Sequence, residues 1–146
     1  MMENLVSDFL DRLRRERMQI DESPRESLGE ASLGRLANLY RIKSSSGSVI
    51  AYIKESTVEK GFWGMSPDAV DFLISVEEEY SFEKCFLVLL HKNTDTAYVL
   101  SAKEIRELTA NKKIAYDGGY KINEPELLGQ YSKFTSFESI LAKLGL

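Results

Sequence analysis

The sequence predicts an α+β fold: a mixed or antiparallel sheet of four to five strands, flanked by helices, with an amphipathic helix at the N-terminus. Three observations carry that prediction. Cys85–Leu90 (CFLVLL) is six apolar residues in a row, the length of a strand buried on both faces. The polar cluster Asn93–Thr96 interrupts the run, and a second apolar strand returns at once, so the two read as a central hairpin. Around them, helical spacing or a helix-opening pattern recurs along the chain.

Taken in order, Leu5, Val6, Phe9, Leu10 and Leu13 set one apolar stripe on a helix over about 4–18. Its other face carries Arg12, Arg14, Arg15, Glu16 and Arg17, either a phosphate- or acid-binding arginine cluster or, the favoured reading, a solvated face with intervening acids. Residues 21–34 mix Pro24, Gly29 and Gly34 with acids and serines and read as a linker loop. The expected organisation is therefore an N-terminal helix (1–20), a linker (21–34) and one α+β domain (35–146). Leu36–Lys43 alternates in hydropathy, Ser44–Ser48 turns, and Ser48–Glu55 returns as the second arm of an antiparallel hairpin. Ser66–Pro67–Asp68 opens a helix to about Glu78, with a capping serine, a proline suited to the first turn and an acid at the positive end of the dipole. Ser101–Glu104 has the capping-box pattern and starts a helix ending near Asn111. Ile114–Tyr116 and Tyr120–Ile122 flank Asp117–Gly118–Gly119 as a small hairpin, and Thr135–Glu138 caps a last helix that Gly145 terminates.

Composition narrows the function classes. At 146 residues the chain buries a core without staples, and 43% apolar with 29% charged residues is ordinary for a soluble protein. One cysteine leaves no internal disulfide and makes a cytoplasmic location the default. No apolar run approaches the roughly 20 residues of a membrane helix, and the first residues lack the pattern of a secretory signal. Net charge is −4, against a globally basic nucleic-acid footprint, yet it is unevenly spread. Residues 61–80 hold five acids and no Lys or Arg, whereas residues 81–121 hold seven Lys or Arg against five acids.

Catalytic signatures are missing. A single His and a single Cys assemble no zinc site, and Cys85 and His91 on one strand lie about 20 Å apart at ~3.3 Å per residue, too far to pair. No phosphate-binding glycine loop and no GxSxG turn occurs. Neither a cofactor nor a metal is expected. Gly61–Phe62–Trp63–Gly64 frames the only Trp, either to stack on a ligand ring or to plug the gap between strand and helix. Tyr52 and Lys54, with Tyr40 opposite, read either as an aromatic, basic strand face or as cross-strand sheet pairs. The binding candidates are Arg41, Lys43, Tyr52, Lys54, Trp63, His91 and Lys92; no catalytic residue is assigned.

The element order over residues 36–101, from Ser48 through the GFWG segment to the CFLVLLH hairpin, resembles the restriction-endonuclease-like fold. That family's signature is an acid followed by Glu/Asp-x-Lys on the next strand. Here the strand reads Tyr52–Ile53–Lys54, with Tyr in the acid's place, and Val58–Glu59–Lys60 lacks the spacer and falls in a loop. The resemblance implies a chain that binds without cutting. The expected function is a non-catalytic interaction module, an accessory in a nucleic-acid-processing system, with nucleic acid or a protein as partner and no membrane. Two other classes stand beside it: a divergent nuclease-like hydrolase using Asp or Glu with Lys54, and an acidic, immunity-type inhibitor presenting Asp68–Glu79 to a protein.

Overall fold

Asn4 opens the first helix, α1 (Leu5–Arg15), by accepting the Ser7 N–H at 3.0 Å, which satisfies one of the donors a helix start leaves unpaired. The computed structural model describes residues 4–22, 24, 37–79, 84–110, 112, 114 and 118–146. Strands follow as β1 (Gln19–Asp21), β2 (Leu39–Lys43), β3 (Ser48–Ser56) and β4 (Phe62–Met65). Helix α2 (Pro67–Glu79) leads to β5 (Lys84–His91), β6 (Asn93–Ser101) and α3 (Ala102–Thr109). Then come β7 (Tyr120–Asn123), a 3-10 turn (Glu124–Glu126), β8 (Lys133–Phe134) and α4 (Phe137–Leu144). Most of the expected linker, residues 23 and 25–34, lies outside the described residues.

The architecture is α+β with a mixed sheet. Six strands run in the order β1-β2-β3-β5-β6-β8, and β4 pairs with β7 in a separate two-stranded sheet. Among the described residues, only β3 and β5 pair in parallel. A parallel pair needs a crossover, and β4 with α2 supplies it. The strand count exceeds the four to five expected because β1 and β8 are three and two residues long, too short to show a period.

β5 divides two cores. Cys85, Leu87 and Leu89 point into a cluster with Trp63, Leu73, Tyr98 and Ile105, under α2 and α3. Val88 and Leu90 point into the other, with Phe9, Leu13, Ile42 and Ile140, under α1 and α4. The uninterrupted apolar run follows from this double burial. α1 is part of that packing: Phe9 and Leu13 are fully buried, and the Phe9 and Phe137 rings meet edge to face at 5.6 Å.

Three local expectations need correction. The central turn falls at Lys92, in left-handed backbone at φ 70°, so Asn93–Thr96 belongs to β6. Asn93 Oδ1 accepts the Asp95 N–H at 2.9 Å, and Arg12 holds Thr94 and Asp95, which gives the polar cluster partners within the strand. Tyr120–Ile122 does form a strand, but it pairs with β4; the other arm expected for it lies outside the described residues apart from Ile114, which is in no strand. The last helix is capped one residue later than expected, by Ser136 accepting the Ser139 N–H at 3.1 Å, and Gly145 ends it at φ 76°. Among the described residues, no helix is long and apolar enough to cross a membrane.

Candidate anion-binding cleft

Residues two apart on a strand share a face, so β3 presents Tyr52 and Lys54 together and turns Glu55 to the opposite side. Glu55 is occupied there, accepting the Val6 N–H at the start of α1 at 3.1 Å. Tyr52 and Lys54 open into a cleft of about 490 Å³, lined also by Asn38, Gly64, Ser66, Gly118, Gly119 and Lys121. Its walls come from distant parts of the chain. Asn38 precedes β2 in left-handed backbone (φ 67°), a conformation Asn tolerates, and its carbonyl accepts the Ile53 N–H at 2.9 Å. Lys121 arrives on β7 opposite Gly64 of β4, and its ammonium lies 3.6 Å from where a Cβ on Gly64 would sit. Ser66 stands at the start of α2, where its N–H donates to the Tyr52 hydroxyl at 3.0 Å.

Among the described lining residues the charged groups are Lys54 and Lys121. Burial holds the Lys54 ammonium below the usual lysine range; the Glu55 charge opposes that shift and the Lys121 charge adds to it. Among the described residues nothing accepts a hydrogen bond from Lys54 Nζ, which lies 5.9 Å from the Tyr52 ring centroid. No carboxylate is among the described lining residues. Burial raises the Tyr52 phenol, with the Ser66 N–H opposing, so the hydroxyl stays protonated near neutral pH.

A partly buried polar network fastens the strand that carries Lys121. Glu124, directly after β7, accepts from the Tyr98 hydroxyl at 2.8 Å and from Lys133 Nζ at 2.7 Å. His91 Nε2 lies 2.9 Å from the Val58 carbonyl, which can only accept, so that nitrogen carries the hydrogen. Nδ1 is then the acceptor for Lys133 Nζ at 3.2 Å. Burial favours the neutral form of Glu124, but the hydrogen bonds from Lys133 and Tyr98 outweigh it and hold the carboxyl below the usual range. Burial, then the bond to Glu124, pushes the Tyr98 phenol well up.

The seven residues singled out from the sequence do not form one surface. Tyr52 and Lys54 line the cleft. Tyr40 belongs to the core on the other side of the sheet, so it does not extend their face. Arg41 and Lys43 line a separate groove at the β1–β2 edge with Asp21. Trp63 is 1% exposed and its indole N–H donates to the Leu90 carbonyl at 3.0 Å; its ring occupies the space a Cβ on Gly61 would need. The plug reading of Gly61–Gly64 therefore describes it, and no ring face is open to stack on a ligand. His91, 3% exposed, is inside the network. Lys92 pairs with Glu59 at the hairpin turn. Asn38, Ser66 and Lys121 were not among the sequence candidates. The one available signal was Gly118–Gly119 before a lysine-bearing strand.

No protein-family model and no curated protein matches the sequence. Among solved structures, the chain is similar to Hjc, a Holliday junction resolvase of Archaeoglobus fulgidus, an archaeal hyperthermophile. Identity is 11% over 84% of this chain and 83% of that one, with a TM-score of 0.46. At that identity and score the likeness is weak.

Proposed function

We propose that the protein is a non-catalytic interaction module that holds the phosphate backbone of a nucleic acid in the Tyr52–Lys54 cleft. The observation that carries this is the half-buried Lys54 ammonium, beside the Lys121 charge and without an acceptor among the described residues. An unpaired charge taken partly out of water is costly, and a bound anion offsets that cost. The net charge of −4 makes the attraction local, so binding depends on the cleft and not on the whole surface.

Two observations weigh against the other classes. A metal-assisted nuclease needs carboxylates converging near the lysine. Tyr52 stands where such an acid would, and the described cleft residues include none. For an acidic protein-binding surface, α2 has already committed part of its charge: Glu77 accepts the Cys85 N–H at 3.0 Å, and Glu78 pairs with Arg106.

Fluorescence anisotropy with labelled single- and double-stranded oligonucleotides tests the reading. The parent protein should bind at low salt and weaken as salt rises. Lys54→Ala should reduce the slope of log K against log salt by about one. Absence of binding at low salt refutes it. Mg²⁺-dependent cleavage that disappears on substituting a carboxylate would restore the nuclease class.

A further inference from the structure

We propose that Lys54 is a reactive amine that captures an aldehyde on a phosphate-bearing ligand as an imine within the cleft. This rests on the cleft being a phosphate site. Three features point to it.

First, Lys54 Nζ opens into a cleft of about 490 Å³ with no acceptor among the described residues to hold its protons. Second, Lys121 brings a like charge to the same cleft, its ammonium against Gly64. A partly desolvated lysine beside another cation is the arrangement that leaves more of an amine neutral and nucleophilic. An unperturbed lysine is neutral in fewer than about one molecule in a thousand at neutral pH, and the lowered position of Lys54 raises that fraction. Third, the Tyr52 hydroxyl on the same strand face accepts from the Ser66 N–H, so its own proton remains to donate to a carbonyl oxygen.

The chemistry is balanced without an oxidant or reductant. The neutral Nζ attacks the aldehyde carbon, forming a C–N bond as the C=O π bond breaks; the oxygen takes a proton from the Tyr52 hydroxyl, which one Nζ proton restores, giving a carbinolamine. The C–O bond then breaks and the hydroxyl leaves as water with the second Nζ proton, leaving the imine. A strand with an abasic sugar, an aldehyde flanked by phosphodiesters, carries the required groups; so does a small phosphorylated aldehyde.

The test incubates the full chain with borohydride and either an oligonucleotide containing one abasic site or pyridoxal 5′-phosphate. Binding of the intact oligonucleotide is measured in parallel. A covalent adduct should form and map by peptide mass to Lys54. Its yield should fall at least about tenfold in Lys54→Arg. The arm that labels Lys54 identifies the source, strand or small ligand. No adduct in either arm, adducts confined to other lysines, or an undiminished yield in Lys54→Arg overturns the inference. Because the mapping is done on the parent protein, misfolding of the variant does not decide the result. Binding of the intact oligonucleotide without a Lys54 adduct leaves the phosphate reading standing and sinks only the imine. A Lys54 adduct with pyridoxal phosphate alone, without oligonucleotide binding, keeps the imine and the phosphate site and refutes the nucleic-acid reading.

Discussion

Glu124→Ala removes the group on which the Tyr98 hydroxyl and Lys133 converge, and the structure sets the size of the loss. Tyr98 is fully buried and donates to Glu124 at 2.8 Å. Leaving that hydroxyl without an acceptor costs about 1–3 kcal/mol. The Lys133 side chain is 31% exposed, so water partly replaces its partner, and that pair contributes about 1 kcal/mol at most. Glu124→Ala should therefore destabilise by about 1–4 kcal/mol, read from urea unfolding at unchanged m. Removing the donor as well changes the arithmetic. In a Tyr98→Phe background no orphaned hydroxyl remains, so the same substitution should cost about 1 kcal/mol or less. The acid limb gives a second readout. The folded-state pKa of Glu124 lies below its unfolded value, so its contribution is present above the unfolded pKa and lost as pH falls through the folded one. Glu124→Ala should flatten that limb. Equal costs in the two backgrounds, or melts that overlay the parent, would refute the network as described.

Two further outcomes follow from the packing and the cleft. Phe9→Ala should cost about 3–5 kcal/mol in urea melts, because the ring is fully buried against Phe137; a cost near zero would make α1 a detachable arm. Oligonucleotide affinity at fixed salt should decline as pH rises through the lowered Lys54 pKa, since a bound anion favours the ammonium and the charge is gone above it. Lys54→Arg, charged throughout, should move that decline to higher pH in an anisotropy titration run from neutral to about pH 10; an unmoved curve would assign it to other groups.

What the sequence displayed and what it hid divide along a physical line. Elements specified by local chemistry were legible: the stripe through Phe9 and Leu13, the Ser101–Glu104 box, the apolar run at Cys85–Leu90 and the φ-permissive Gly145 all appear in the structure where their patterns put them. Pairings between distant segments were not. The β4–β7 ladder brings Lys121 opposite Gly64, and nothing in either short segment names the other. Of the cleft, Tyr52 and Lys54 were visible because they are neighbours on one strand face. His91 looked like a surface candidate, and Trp63 read either as a stacking ring or as a plug, because polarity and rarity in a sequence say nothing about burial. The partners that make their burial tolerable, Glu124, Lys133 and the Leu90 carbonyl, come from contacts the fold creates.

The central claim is that the anion sits in the Tyr52–Lys54 cleft, and a backbone amide chemical-shift titration with a short oligonucleotide at low salt tests it most directly. The account predicts that shifts concentrate at Asn38, Lys54, Gly64, Ser66, Gly119 and Lys121 and saturate together, with Arg41 and Lys43 unmoved. Shifts centred on the Arg41–Lys43 groove, or none anywhere, would contradict it.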